Sequence, residues 1–108
     1  MEIVIHSHHA TVSEHMRKRA VRAVERAAER IPRAVEGIIR FEEDGALKRV
    51  TVTLRAPRHR DVMGRAEGKF FGPALSAALA RVLAQTSREK REAGRATARR
   101  AARARERA

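Results

Sequence analysis

The chain has 108 residues, the size of one small domain, and 25 Lys and Arg against 13 Asp and Glu give it a formal net charge of +12. The absence of Cys excludes a disulfide framework, a thiolate zinc site and a cysteine nucleophile, and it predicts a reducing compartment. No apolar run approaches the roughly 20 residues of a membrane span, and the first residues lack the features of a signal peptide, so we expect a soluble, cytoplasmic protein.

The positive charge is divided between two segments. Residues 88–108 hold nine basic and three acidic residues, and the other 87 residues hold the remaining half of the +12. The segment after Gly94 consists of Ala and Arg with one Thr and one Glu, so it has no large apolar side chain to pack. We therefore predict a folded domain over residues 1–92 and a basic Arg/Ala-rich tail over residues 93–108 that is disordered, or helical only when bound. A folded part that is itself basic indicates a polyanionic partner.

Residues 1–31 predict a strand followed by a helix. Ile3 and Ile5 lie in phase at the start of the chain, which is the period of a short strand. Ser13 is suited to be the N-cap of the helix, with Glu14 in the first turn, where the helix dipole favours an acid. Apolar residues then recur every three or four positions, as on one face of a helix that Pro32 ends: Met16, Ala20, Ala23, Val24, Ala27 and Ile31.

The first helix is basic outside its apolar face. After the first turn its only acidic residues are Glu25 and Glu29. Its opposite and flanking faces carry Arg17, Lys18, Arg19, Arg22, Arg26 and Arg30. One side of this helix is therefore predicted to be a cationic ridge.

The rest of the chain predicts three strands and a second helix. Residues 35–42 and 50–55 alternate between apolar and polar side chains, and Asp44-Gly45 signals a hairpin between them. Residues 62–67 predict a fourth strand, and the second helix starts near Pro73, or as early as Lys69, and fades at residues 88–91. The order β-α-β-β-β-α predicts an α+β fold: a four-stranded sheet with both helices on one face and solvent on the other.

Two local motifs are incomplete as a nucleotide site or a metal site. Gly64–Phe70 resembles a phosphate-binding loop, but its glycine spacing is one residue short and Phe70 stands where Ser or Thr would bind magnesium. The only stretch dense in metal ligands is His6, His8, His9 and His15, and no Cys or suitably placed carboxylate completes the set. We therefore predict no metal and no cofactor.

A catalytic site is also disfavoured. A Ser-His-Asp set would need Asp44 or Asp61, and both residues lie in predicted turns, where a buried orienting acid is not expected. We predict that the protein is not an enzyme and has no small-molecule substrate.

Nucleic-acid binding fits the composition better. The chain has three Phe and no Tyr or Trp, so it lacks the aromatic run with which RRM domains stack bases, and Phe70 and Phe71 are predicted to fill the core beside the second helix. Arg predominates over Lys, which suits bidentate phosphate contacts, although a GC-rich genome would produce the same bias. We expect contacts to phosphates that recognise shape rather than sequence.

Several features together resemble a known family. They are the element order, the opening Met1–Ile5, the Val12–Arg17 segment at the start of the first helix, and Ala66–Gly68 before the second. Over residues 1–92 the chain resembles the short form of the ribosome hibernation promoting factor and ribosome-associated inhibitor family. The resemblance implies two helices side by side on the sheet, with a basic groove that binds the small ribosomal subunit and its rRNA. It also implies that the protein occupies the channel of messenger and transfer RNA, inhibits translation by occlusion, stabilises idle ribosomes and is a monomer off the ribosome.

The resemblance also implies rRNA-binding residues on both helices. They are Arg22, Arg26 and Arg30 on the first helix and Arg81, Arg88, Lys90 and Arg91 on the second. The chain departs from the family at Phe70-Phe71-Gly72-Pro73, which replaces a common Asp-Met-Tyr-like start of the second helix, and at Ala84, which replaces a frequent Arg.

Two other functions stay open from the sequence. One is a general RNA- or DNA-binding protein with double-stranded-RNA-domain-like architecture, whose binding depends on the basic tail. The other is a protein-interaction module, for which binding would depend little on salt.

Overall fold

The elements of the fold follow the predicted order. The computed structural model describes the backbone of residues 1–107 and the side chains of residues 1–88, 95 and 98–103. The elements are β1 (Glu2–His8), α1 (Glu14–Ala28), β2 (Glu36–Asp44), β3 (Leu47–Arg55), β4 (Val62–Gly68) and α2 (Phe71–Arg107). The predicted α+β class and the order β-α-β-β-β-α are confirmed.

The four strands form one mixed sheet in the order β1-β2-β3-β4. β1 is parallel to β2, and α1 is the crossover between them, whereas β2, β3 and β4 form an antiparallel meander. Asp44 pairs with Leu47, so the β2–β3 turn is Gly45-Ala46, one residue later than the Asp-Gly signal indicates. Gly45 has φ 60°, a left-handed conformation that glycine adopts without a Cβ clash.

The core lies between the sheet and the two helices. Alternation along each strand directs one set of side chains toward the helices and the other set to the open face. Gly64 on β4 permits close packing, because a Cβ there would overlap the carbonyl oxygen of Ala78 on α2. The largest fully buried side chains are Phe41, Ile39, Leu54, Leu75, Val24, Val50, Val52, Val62 and Val82.

The first helix begins as predicted and ends earlier. The Ser13 hydroxyl accepts a hydrogen bond from the Met16 N–H at 3.1 Å, which confirms the N-cap. The helix ends at Ala28, not at Ile31. The Ile31 N–H donates to the Ala28 carbonyl at 3.0 Å, an i→i+3 turn that returns Ile31 to the core beyond the helix end.

The second helix extends through Arg107, well past the predicted end at residues 88–91. We predicted that residues 93–108 are disordered, or helical only when bound. The backbone of this segment is helical through Arg107. The physical reason is intrinsic propensity: Ala and Arg are strong helix formers, and lengthening an existing helix avoids the cost of nucleation. The helix crosses residue 92 without a break, so the division into residues 1–92 and a tail stays a prediction.

The two adjacent phenylalanines at the start of α2 differ in their exposure. Phe71 is 7% exposed, and its ring packs edge-on against Phe41 with the centroids 5.2 Å apart. Phe70 is 68% exposed, so the prediction that both rings fill the core is wrong for Phe70. Phe70 precedes the first residue of α2 and Phe71 is that residue, so the turn from β4 into the helix separates their directions.

Candidate nucleic-acid interface

Basic side chains are concentrated on one flank of α1. The helix buries Ala20, Val24 and Ala27 against the core. His15, Arg19, Arg22 and Arg26 are spaced by four, three and four positions, so they lie on one side of the helix, beside that buried face. Together with Lys18 they line a surface depression of about 310 Å³, and we call these five residues the α1 basic flank.

The α1 basic flank adjoins the second helix. A Cβ on Gly72, in the first turn of α2, would lie 3.2 Å from Nη1 of Arg19 and 3.9 Å from Cε of Met16. The Arg19 guanidinium therefore lies against the start of α2. Since both helices pack on the same face of the sheet, the basic flank has a fixed position relative to the core.

The arginines of this flank have no anionic partner among the described side chains. No carboxylate of that part of the chain lies within 4.0 Å of the guanidinium groups of Arg19, Arg22 or Arg26. Lys18 pairs with Glu14 at 3.6 Å, and both side chains are largely exposed. An exposed pair of this kind contributes little to stability and is easily exchanged for another anion. The flank therefore offers planar guanidinium groups suited to bidentate phosphate contacts.

The open face of the sheet has the opposite electrostatic arrangement, because its arginines are paired with carboxylates. Arg49 donates from Nε to Glu67 at 2.8 Å, and Arg65 approaches the same carboxylate at 3.5 Å. The hydrogen bond to Glu67 raises the pKa of Arg49, and the bond from Arg49 lowers the pKa of Glu67. Arg40 and Arg55 also have carboxylate partners, Glu42 at 3.2 Å and Asp61 at 3.3 Å. This face neutralises its own charge, so we assign the candidate interface to the α1 basic flank.

Arg81, predicted to bind rRNA, lies on a different flank. Its Nη1 donates to the backbone carbonyl of Arg65 on the edge strand β4. Gln85, one turn later, accepts the Met63 N–H at 3.1 Å on the same edge. The side chains of Arg81 and Gln85 thus cover backbone groups of β4, on the side of α2 away from α1. The structure does not bring Arg81 together with Arg22 and Arg26.

The remaining predicted residues fall into three places. Arg88 is exposed two turns after Arg81, so it lies on the same side of α2. Arg30 is exposed in the turn that follows α1. Lys90 and Arg91 belong to α2, but their side chains lie outside the described residues.

The sequence predicts only part of the flank as a binding site. It places Lys18 and Arg19 on the cationic ridge but not among the rRNA-binding residues, and it offers His15 as a metal ligand. The signal that identifies them is the helical spacing from Arg22 and Arg26, which sets them on one side of the helix.

Other polar clusters do not assemble into a chemical site. The His8 and His9 rings touch edge to face, with centroids 4.3 Å apart. Among the described residues no three His, Asp or Glu side chains are placed to hold a metal ion. Asp61, considered for a catalytic set, pairs with Arg55 instead. None of the helices, over the same residues, combines the length and apolar character needed to cross a membrane.

Comparison with known proteins identifies the fold. The sequence matches no protein-family model and no curated protein. The crystal structure of the Thermus thermophilus Protein Y N-terminal domain superposes with a TM-score of 0.71 at 16% identity, covering 82% of this chain and 98% of that domain. A ribosomal subunit interface protein from Coxiella burnetii superposes with a TM-score of 0.68 at 18% identity, covering 83% of this chain and 98% of that protein. The chain therefore has the fold of these two proteins, and the resemblance indicated by the sequence is confirmed at the level of the fold.

Proposed function

We propose that the protein is a ribosome-associated hibernation factor. It binds the small ribosomal subunit in the channel of messenger and transfer RNA, inhibits translation by occlusion and stabilises idle ribosomes. The observation that carries the proposal is the α1 basic flank, whose arginines lack carboxylate partners among the described side chains. The shared fold with a ribosomal subunit interface protein supports the choice of the ribosome among polyanions.

The proposed mechanism is binding without chemistry. Each guanidinium that reaches a phosphate displaces condensed counterions, so affinity comes largely from salt-dependent backbone contacts. The sheet and core fix the spacing of Arg19, Arg22 and Arg26 before binding, which lowers the entropy lost on association. We propose that Arg30 beside this flank, and Arg88, Lys90 and Arg91 on α2, add further rRNA contacts. The protein acts in the cytoplasm, needs no cofactor or metal and is a monomer off the ribosome.

Co-sedimentation with purified small subunits tests the proposal. We expect wild-type protein to migrate with the subunits at low salt. A variant with Arg19, Arg22 and Arg26 changed to Gln is expected to remain at the top of the gradient. A control with Arg55, Arg60 and Arg65 changed to Gln removes the same charge from elsewhere on the domain and is expected to migrate with the subunits. Wild-type protein that stays at the top at low salt would contradict a ribosomal partner.

The second candidate is a general RNA- or DNA-binding protein. It is favoured by the exposed arginines along the end of α2: Arg95, Arg99, Arg100 and Arg103. Deletion of residues 93–108 distinguishes the two functions. Subunit binding survives the deletion if the domain provides the site, and it is lost if the basic tail provides it. The last described core residue, Thr86, lies before the deleted segment, so the domain is expected to keep its fold.

A further inference from the structure

Phe70 is the most exposed large apolar side chain in the described part of the chain. It is 68% exposed, whereas Phe71 beside it fills the core and lies under Nζ of Lys48, 4.8 Å from its ring centroid. Phe71 already supplies the aromatic packing between α2 and the sheet. Burial therefore does not account for a second aromatic ring at position 70.

Helix capping does not account for Phe70 either. Its carbonyl accepts the Ala74 N–H at 3.4 Å, which makes Phe70 the N-cap of α2. Ser, Thr, Asp and Asn are preferred at an N-cap, because their side chains accept a hydrogen bond from the first turn, and a phenyl ring cannot. This hydrogen bond ties the backbone of Phe70 to the first turn of α2, so the Phe70 ring has a defined position just after the end of β4.

Two basic residues lie near the backbone of Phe70. Lys69 precedes it and is exposed, and the Arg19 guanidinium lies over the first turn of α2, at Gly72. That first turn contains no acidic residue. At the same end of the sheet Glu43 is neutralised by Lys48 at 3.1 Å.

The exposed apolar area around this ring is too small for a protein-docking surface. Of the other exposed large apolar residues, Met1, Val35 and Met63 belong to the opposite end of the sheet, and Leu47 alone shares the end of Phe70. An exposed aromatic face with basic residues nearby is the pattern of a nucleic-acid contact, in which a base stacks on the ring and its phosphates bind the basic residues.

We propose that Phe70 is a nucleobase-stacking residue. An unpaired base of the RNA bound along the α1 basic flank stacks on the exposed ring, while the adjoining phosphates bind Lys69 and Arg19. The inference rests on the proposed function in taking RNA as the ligand. It adds a contact to a base, which the basic flank does not provide, and it gives the protein a preference for unpaired over fully paired RNA.

The test measures the affinity of the full chain for a single-stranded RNA of 12 nucleotides and for a blunt duplex of the same length, by fluorescence anisotropy. Phe70→Leu keeps an apolar side chain and removes the aromatic face. We expect it to weaken single-strand binding by roughly 5- to 150-fold, the range for one stacked base, and duplex binding by less than about twofold. The dependence of affinity on salt stays unchanged, because no charge is removed.

Two further variants separate stacking from charge. The chain has no Trp, so Phe70→Trp introduces a single fluorophore at the site, and we expect single-stranded RNA to quench it while affinity is retained. The double variant Arg22→Gln/Arg26→Gln is expected to weaken binding of both RNAs. Thermal unfolding of each variant checks the fold, which a change at an exposed position should leave intact.

The outcomes distinguish this inference from the proposed function. If Phe70→Leu binds the single strand as tightly as wild type while Arg22→Gln/Arg26→Gln binds weakly, Phe70 is not a base contact and the basic flank stands. If Phe70→Leu loses subunit binding but keeps its RNA affinity, the ring contacts a ribosomal protein and the inference is overturned. Wild-type protein that binds neither RNA at low salt overturns this inference, whereas the proposed function is overturned when the protein also fails to migrate with small subunits.

Discussion

Replacing Arg22 and Arg26 with Gln measures how much of the affinity comes from the α1 basic flank. Gln is shorter than Arg, but it keeps a polar side chain of similar helix propensity and removes the charge. The perturbation is local, because neither arginine has a carboxylate partner among the described side chains. We therefore expect the free energy of unfolding to change by less than about 0.5 kcal/mol.

The expected magnitude follows from the number of unpaired arginines at the site. Arg19, Arg22, Arg26 and the neighbouring Arg30 provide four cations, so this part of the surface should contribute about −3.6 to the log–log salt slope for duplex RNA, a factor of roughly 150 between 50 and 200 mM. Removing two of these charges should make the slope less steep by about 1.8, which lowers the fall in affinity over the same range by roughly 12-fold. If the affinities are equal when extrapolated to 1 M salt, the variant binds about 60-fold more weakly at 0.1 M.

The assay is a salt titration of RNA affinity by fluorescence anisotropy, with Arg55→Gln/Arg65→Gln as the control that removes the same formal charge. Those two arginines are paired with Asp61 and Glu67, so the control slope should stay within about 0.5 of wild type. An unchanged slope in Arg22→Gln/Arg26→Gln, or an equal reduction in the control, would refute the assignment of phosphate contacts to the α1 basic flank.

Two further predictions concern stability and titration. Gly64→Ala should destabilise the domain by roughly 1–3 kcal/mol or more, because the added Cβ meets the backbone of α2. The control Gly68→Ala should change stability far less, because its Cβ would lie 4.0 Å from the nearest neighbouring atom. Thermal unfolding of the two variants checks this prediction, and equal melting temperatures would contradict it. Arg49→Gln should raise the pKa of Glu67 toward its ordinary value, as followed by carboxyl NMR. In wild type the stabilisation from this lowered pKa is present above the ordinary carboxylate pKa and is lost as pH falls through the lowered one, and an unmoved titration would exclude the bond as its cause.

The elements that the sequence predicts well are those decided by periodicity. Val50, Val52 and Leu54 alternate with polar residues and are all buried, because the helices cover only one face of the sheet. Ser13 is the N-cap because its hydroxyl satisfies a first-turn N–H, a local interaction that needs no tertiary information. The α1 basic flank is predictable for the same reason, since Arg22 and Arg26 lie one turn apart on a helix.

What the sequence does not predict depends on tertiary direction. The sequence gives no reason to distinguish the burial of Phe70 from that of Phe71, and only the geometry of the turn into α2 decides which ring enters the core. The sequence shows that position 81 is basic, but the direction of the Arg81 side chain depends on the position of β4 as the edge strand beside α2. The Arg65 carbonyl on this edge strand competes with phosphate for the Arg81 guanidinium, so Arg81 makes a contact within the fold.

The net charge of +12 therefore contains contributions of different physical kinds. Arginines on the open face of the sheet are balanced by carboxylates and add little to a long-range attraction. Exposed arginines such as Arg95 and Arg99 lie on the part of α2 beyond the last described core residue, so no described core packing holds their position relative to the sheet. Among these groups the α1 basic flank alone combines arginines that lack a carboxylate partner among the described side chains with a fixed position on the core. Removing residues 93–108 should thus lower affinity for every polyanion, while the preference for one RNA shape over another should persist, because shape is recognised only where the cations are held in place.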